Sequence, residues 1–221
     1  MSETAAGQNF YFVANDLSLD LVNTEAMIDG RPADLLGEFA DLLAWAERTE
    51  ILDRAGARRL SERWAGTREA SRALESARAL RARLRALAEH VAKGAGVPQA
   101  SVDEINNLLR RSAGHYEVRR VRGGFEKRLL LSCEEPSQLL VPVAEAAADL
   151  LCHGDLSLVR KCESQSCILY FYDTTKNHSR RWCSMSACGN RLKVAAHYQR
   201  RREGAPAAAA TRKRRLTQSD K

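Results

Sequence analysis

Cys162-Glu-Ser-Gln-Ser-Cys167 and Cys183-Ser-Met-Ser-Ala-Cys188 are the stretches that decide the fold of the C-terminal part of this 221-residue chain. Each is a pair of cysteines with four residues between them, and 15 residues separate the pairs. Four thiolates arranged around one ion suit zinc, which takes soft sulfur ligands in a tetrahedron. The spacing predicts one structural Zn²⁺ bound by Cys162, Cys167, Cys183 and Cys188. Free buried thiols, a redox-active pair and an iron–sulfur cluster are the alternatives that remain open.

The residues between the two cysteine pairs predict a hairpin that returns to the metal. Ile168–Tyr172 is an apolar, aromatic run and is the expected outward strand, Asp173–Asn177 the turn, and Arg180–Cys183 the return strand. His178 and His197 are not needed as ligands, because four cysteines already complete the tetrahedron. A closed site has no position for water, so the metal is expected to hold the fold without taking part in catalysis.

Past the last cysteine, Gly189-Asn190-Arg191 leads into a basic amphipathic segment. We expect a helix from about Ser186 to Arg202, capped by Ser184 or Ser186. Its positive N-terminal end would stabilise the nearby thiolates.

Cys188-Gly189-Asn190-Arg191 begins at the last cysteine of the two pairs. In this setting it resembles the CGNR zinc finger, a treble-clef-like module of bacterial proteins regarded as transcription regulators. In that family an ABATE-type domain precedes the finger, and Leu17-Ser-Leu-Asp-Leu-Val-Asn-Thr24, followed by Asp34-Leu-Leu36, is similar to the start of that domain. The resemblance covers about residues 10–202. It implies metal ligation by the same four cysteines and identifies no ligand for the upstream domain.

The charge of the chain is unevenly distributed. From Arg160 onward there are 15 Lys and Arg against 4 Asp and Glu, whereas the preceding residues carry 20 against 24. A polyanion such as DNA attracts a basic segment of this kind, because binding releases condensed counterions. Residues 203–221 are rich in Ala and Arg and have too few large apolar side chains to form a core, so a disordered basic tail is expected.

Upstream of the finger the pattern is that of helices with one β-hairpin. The predicted fold is α+β and mostly helical: a helical domain over residues 10–155, followed by a treble-clef-like four-cysteine zinc finger over residues 158–202. The first ordered segment is expected over Phe10–Ile28, and within it a helix capped by Asn15 or Asp16. The other expected elements are helices over Asp34–Arg48 and Arg54–Lys93 (the last divided near Gly66), a helix opened by a Ser101–Glu104 capping box, a hairpin around Gly123-Gly124, and a helix from Gln138 or Val141 to Cys152.

Compartment and redox state follow from what the sequence lacks. No apolar run approaches the roughly 18 residues that a membrane span requires, and the N-terminus has no basic region typical of a signal peptide. We therefore expect a cytoplasmic, nucleoid-associated protein without a membrane partner. In a reducing cytosol, six cysteines are not expected to form disulfides. Cys133 and Cys152 lie in apolar contexts and are expected to be buried as small hydrophobic residues.

These features favour a zinc-dependent DNA-binding transcription regulator, with the finger helix docking on DNA. The alternative is an adaptor that binds RNA, RNA polymerase or another protein. The candidate DNA-binding residues are Lys176, His178, Arg180, Arg181, Arg191, Lys193, Gln199, Arg200, Arg201 and Arg202.

The upstream domain is predicted to be a sensor or dimerisation module, with a homodimer or a small-molecule effector as its partner. Asp20, Asn23 and Arg31 are the candidate ligand-binding residues, since they are polar residues in or beside an apolar stretch. We do not expect an enzyme, because this domain contains no phosphate-binding glycine loop, nucleophile elbow or His/carboxylate cluster.

Overall fold

The computed structural model describes residues 10–111 and 114–190, and the chain divides into two compact units between Cys183 and Ser184. The first unit contains six helices and three two-stranded antiparallel sheets among its described residues. The helices are α1 Leu17–Val22, α2 Phe39–Arg48, α3 Arg54–Trp64, α4 Arg68–Ala92, α5 Gln99–Leu109 and α6 Val141–His153. The strands are β1 Glu25–Ile28, β2 Arg31–Asp34, β3 Gly114–Val121, β4 Gly124–Leu131, β5 Val159–Lys161 and β6 Tyr170–Tyr172. The predicted α+β, mostly helical class is confirmed.

The 25-residue helix α4 is the centre of the first unit. Its buried side chains recur every three or four residues, which is the period of one helix face, and α1, α2, α5 and β5 pack against it. The Thr67 side chain accepts a hydrogen bond from the backbone N–H of Ala70 at its start. The predicted break near Gly66 is confirmed, because Gly66 has a φ of +76° in the turn between α3 and α4.

The prediction that the helix capped by Asn15 or Asp16 continues to Ile28 was wrong. Asp16 does cap a helix, but that helix is only α1, and the chain then forms the β1–β2 hairpin. Asp29 and Gly30 form its two-residue turn, with φ values of 49° and 79°. Asp-Gly is a strong signal for a hairpin turn that requires two positive φ angles. Among its described residues, the domain before the finger therefore contains two hairpins, whereas one was predicted.

Other predicted elements differ in detail. Helix α2 begins at Phe39, later than the predicted Asp34. The Ser101–Glu104 capping box was wrong: α5 already begins at Gln99, and the Ser101 hydroxyl donates to the carbonyl of Arg83 at 2.8 Å. The β3–β4 hairpin is confirmed, with Arg122-Gly123 as its turn.

The predicted helix before the finger is confirmed. A short 3₁₀ segment over Pro136–Leu140 leads into α6, whose first turn contains Pro142. Proline is well suited to that position, because its missing N–H has no partner in the first turn anyway.

Two cysteines outside the finger are less buried than expected. Cys152 is exposed, so the prediction that it is buried was wrong, and Cys133 is half-buried. Burial raises the pKa of the Cys133 thiol to about 11. In the described residues, no helix combines the length and the apolar character that crossing a membrane requires.

Candidate metal centre

Four buried cysteines form the candidate metal site. The Sγ atoms of Cys162, Cys167, Cys183 and Cys188 all lie within 4.8 Å of one another. Cys167 and Cys183 have their sulfurs 3.7 Å apart. Four sulfurs about 2.3 Å from a tetrahedral zinc ion would be separated by about 3.8 Å, so the observed spacing fits zinc closely. The four residues that the spacing predicts as ligands are thus brought together by the structure.

Three thiols of this cluster, those of Cys162, Cys167 and Cys183, lie close enough to shift one another's pKa. Hydrogen bonds from Cys167 and Cys183 lower the pKa of Cys162 to about 2. The hydrogen bond with Cys162 raises the pKa of Cys167 to about 12, and contact with the same sulfur raises the pKa of Cys183. Neighbouring thiolates repel one another, and a divalent ion among them removes that repulsion. The donor set therefore fits one Zn²⁺, and four thiolates would fill its coordination sphere.

The first cysteine pair lies in the loop between β5 and β6. Cys162 follows β5 directly, and its N–H donates to the carbonyl of Leu169 at 2.9 Å, which continues the β5–β6 ladder. The Cys167 N–H donates to the carbonyl of Ser164 at 2.9 Å in a tight turn. The predicted pairing of this hairpin was wrong: β6 pairs with β5, which precedes the cysteines, and residues 180–183 do not form a strand. Sequence reasoning missed β5 because it has only three residues.

The segment leading to Cys183 is held by two charged side chains. Asp173 has no exposed surface; its carboxylate accepts bonds from the N–H and hydroxyl of Thr175 and, at 2.9 Å, from the N–H of Arg180. Burial alone would raise the pKa of Asp173, but these bonds and the Arg160 charge hold that pKa below its ordinary value. The Asp-Thr-Thr sequence is typical of such a side-chain-capped turn, although Asp173 was not among the predicted site residues.

Arg180 fixes the backbone around the third ligand. Its guanidinium donates to the carbonyls of Val13, Trp182 and Cys183, and it lies 4.2 Å from the centre of the Phe171 ring. A guanidinium suits this position because its planar set of donors can serve several carbonyls while its face stacks on a ring. These contacts favour a structural role for Arg180, although it was a candidate for contact with phosphate.

The outer edge of β6 is covered by residues from the start of the chain. The side-chain amide of Asn23 donates to the carbonyl of Tyr170 and accepts from its N–H, both at 2.9 Å, in the manner of a neighbouring strand. Farther along, the Tyr172 N–H donates to the carbonyl of Ala14, and the Asn15 amide donates to the carbonyl of Tyr172. The backbone groups of this short edge are therefore satisfied without another strand.

The second unit is described only at its beginning. A single helical turn, Met185–Gly189, contains Cys188, and the Ser184 hydroxyl accepts a bond from the N–H of Ala187. Of the two predicted caps, Ser184 takes that place. Most of the predicted Ser186–Arg202 helix lies outside the described residues, with Arg191, Lys193, Gln199, Arg200, Arg201 and Arg202; the predicted tail over 203–221 does as well.

The other candidate DNA-binding residues are exposed. Lys176 lies in the turn after β6, and His178 lies near it with a φ of 46°. Arg181 is paired with Glu163 at 2.6 Å and lies over the Trp182 ring. Because that ion pair is on the surface, it contributes little stability, and Arg181 can exchange its partner for another anion.

The candidate ligand-binding residues make different contacts. Asp20 accepts hydrogen bonds from the N–H groups of Val13 and Ala14, and burial raises its pKa to about 6. Asn23 is fully buried against Tyr170. Arg31 is exposed in β2. The polar character of Asp20 and Asn23 is thus accounted for by backbone contacts that bind the N-terminal segment and β6.

The fold and site together define a class: a zinc-finger protein with one site of four cysteines, joined to a helical domain. Comparison with protein families gives two matches. The ABATE family, described as a "putative stress-induced transcription regulator", matches residues 15–154, and the CGNR zinc finger matches residues 159–201. The chain belongs to the ABATE family and contains a CGNR zinc finger, as the sequence resemblance predicted. A comparison with proteins of curated function gave no significant match.

Proposed function

We propose that this zinc-finger regulator binds DNA directly, through the finger and the basic segment that follows Cys188. The distribution of charge carries this proposal. Residues from Arg160 onward have 15 Lys and Arg against 4 Asp and Glu, although the rest of the chain is net acidic. A regulator that concentrates its cations in one region is suited to a phosphate backbone, because each neutralised phosphate releases a counterion.

The metal has a supporting role in this proposal. Four thiolates leave zinc without an open position, so the ion holds the two cysteine pairs together and supplies no reaction chemistry. The exposed side chains of Lys176, His178 and Arg181 lie between those pairs and are proposed to contact phosphates. Arg191, Lys193 and Gln199 are proposed to meet base edges, and Arg200, Arg201 and Arg202 the DNA backbone.

The N-terminal domain is proposed to act as a sensor or dimerisation module in the cytoplasm, at the nucleoid. In support, its first residues contact the finger hairpin directly: Asn23 bonds to Tyr170, Ala14 to Tyr172 and Val13 to Arg180. A change in the position of α1 or the segment before it would therefore alter contacts on which the finger strand depends. An effector that binds this domain would therefore act on the zinc site through these direct contacts.

A salt titration of the intact, zinc-loaded chain on a labelled duplex tests DNA binding. Fluorescence anisotropy should show an affinity that falls steeply as salt rises, with a log–log slope of about −0.9 for each phosphate neutralised. Replacing Arg200, Arg201 and Arg202 with alanine should weaken binding and flatten the slope. The matched control replaces Arg212, Lys213 and Arg214, which removes the same charge from the tail. Affinity that is absent, or flat with salt, would contradict the proposal.

The same variants separate a regulator from an adaptor. An adaptor that binds RNA, RNA polymerase or another protein would lose its partner on deletion of residues 203–221 and replacement of the three arginines, while DNA binding stayed unaltered. Genome-wide mapping of the tagged chain is expected to show discrete DNA sites, and uniform coverage would count against specific recognition.

A further inference from the structure

The β3–β4 hairpin stands out among the elements that the zinc site does not use. It is the longest sheet in the described residues, and neither strand packs extensively against another element there. Large apolar side chains on it are open to solvent: Val118 is 72% exposed and Phe125 is 68% exposed. A folded domain ordinarily exposes such residues singly, and a cluster of them indicates an interaction surface.

The register of the hairpin separates its side chains into two different faces. Arg120 lies opposite Phe125, Val118 opposite Lys127, and Tyr116 opposite Leu129, so these six residues share one face. We call it the aromatic face. The Arg120 guanidinium is 4.9 Å from the Phe125 ring centre, and the Lys127 ammonium is 3.9 Å from that of Tyr116. None of the six is acidic, but at the base of the face the Tyr116 hydroxyl donates to the Glu145 carboxylate of α6, so the surface free for a partner is the part nearer the turn, with Val118, Arg120, Phe125 and Lys127.

The other face of the hairpin carries charges of opposite sign that lie across from one another. Arg119 lies opposite Glu126 and forms an ion pair with it at 3.2 Å, and Glu117 lies opposite Arg128 in the register. The acidic residues of the two strands are therefore both on this side. The hairpin's excess of positive charge belongs to the aromatic face and to the turn, where Arg122 is exposed.

We propose that the β3–β4 hairpin is a second DNA-binding element, which enters a groove of the duplex with its aromatic face against the DNA. A two-stranded ribbon fits the major groove, which is about 12 Å wide. Arg120, Arg122 and Lys127 bind phosphates, and Phe125 makes the apolar contact inside the groove. An arginine stacked on a ring keeps the edge of its guanidinium available to a phosphate, so the cation–π pair prepares the side chain for binding.

Charge selects DNA over the other candidate occupants of this surface. A second copy of the chain would place the same cations against one another unless it turned the acidic face inward. An apolar protein partner would bury Arg120 and Lys127 without an anion, which is unfavourable for both charges. A polyanion satisfies the cations and the exposed ring together. The inference rests on the proposed function in one respect only, namely that DNA is the polyanion this protein meets.

The test compares charge loss on the two faces of the intact, zinc-loaded chain. Lys127→Gln and Arg120→Gln together should weaken binding to a 30-base-pair duplex about 10- to 100-fold at moderate salt and lower the salt slope by about 2. Phe125→Ser should weaken binding with the salt slope unchanged, because it removes a contact without charge. Arg119→Gln is the matched control on the paired face and should change affinity less than about twofold.

The outcomes separate this inference from the proposed function. Unchanged affinity in the Arg120/Lys127 variant, with salt-dependent binding still lost on replacing Arg200 to Arg202, would overturn the hairpin's role and leave the finger's role standing. A loss from Arg119→Gln as large as that from the Arg120/Lys127 variant would also overturn it, since the net positive charge of the protein would then account for binding without this face. A changed oligomeric state of the Arg120/Lys127 variant, with its DNA affinity unaltered, would also overturn it, because the surface would then bind a second copy of the chain. No binding by the unmodified chain overturns both.

Discussion

Replacing Asn23 with alanine should loosen the zinc finger although Asn23 lies far from the cysteines in sequence. Its side chain is fully buried. The amide NH₂ donates to the carbonyl of Tyr170 and the amide oxygen accepts from the N–H of Tyr170, at 2.9 Å each. Alanine leaves one N–H and one carbonyl of a buried strand edge without partners. Each unsatisfied group costs about 1–3 kcal/mol, so we expect a loss of about 3 kcal/mol in the free energy of unfolding.

Two assays measure this effect. Thermal unfolding of the zinc-loaded chain should show a Tm lowered by about 6–12 °C, since one kcal/mol corresponds to about 2–4 °C in a chain of this size. Zinc transfer to a competing chelator should also become faster, because β6 follows the loop that contains Cys162 and Cys167. The second readout distinguishes a local effect on the finger from a general loss of stability.

Asn15→Gly is the matched control for Asn23→Ala. Asn15 also donates to the β6 backbone, at the carbonyl of Tyr172, but from an exposed position and with a φ of 59° that glycine adopts readily. We expect it to cost less than about 1 kcal/mol. If Asn23→Ala were no more destabilising than Asn15→Gly, and zinc release were unchanged, the reasoning that the N-terminal segment supports the finger would be refuted.

Three further perturbations give separate tests. Arg81→Met should destabilise the first unit by about 2–3 kcal/mol in urea, since Arg81 is 5% exposed and binds the Asp34 carboxylate through two nitrogens; a change below about 0.5 kcal/mol would contradict this. Burial raises the pKa of Asp20 to about 6, so the folded state holds this proton more tightly than the unfolded chain. The wild type should therefore lose about 1–2 kcal/mol of stability relative to Asp20→Asn as pH rises from about 4 to about 6; parallel pH profiles would count against it. Mass spectrometry after brief alkylation of the zinc-loaded chain should show Cys152 modified well before Cys133, because Cys152 is exposed and burial raises the pKa of Cys133 to about 11; equal rates would refute that order.

The sequence predicted the features that depend on local pattern. The cysteine spacing gave the four residues of the metal cluster, and the glycine at position 66 gave the break before α4. The alternation around Gly123-Gly124 gave the β3–β4 hairpin. In each case the residues that predict the feature are close in sequence to the feature itself, so contacts with distant parts of the chain need not be known.

Features that depend on distant partners could not be predicted in this way. The contact of Asn23 with Tyr170 joins residues 147 positions apart, so no local pattern could reveal it. Strand β5 is too short to show alternation and is defined only by pairing with β6. The bond from the Arg180 guanidinium to the carbonyl of Val13 likewise joins residues that are far apart in sequence. The Asp29-Gly30 turn is different, since its signal was local and the apolar run before it favoured a helix instead.

X-ray absorption at the zinc edge of the purified full-length chain, with metal content measured on the same sample, tests the central claim most directly. The four clustered cysteines predict one zinc ion per chain with four sulfur ligands at about 2.3 Å and no nitrogen or oxygen ligand. A chain that folds and binds DNA without zinc would contradict the account. So would a zinc ion with a water ligand, because the site would then be open to chemistry, or one with a histidine ligand, because the four cysteines would then not all bind the ion.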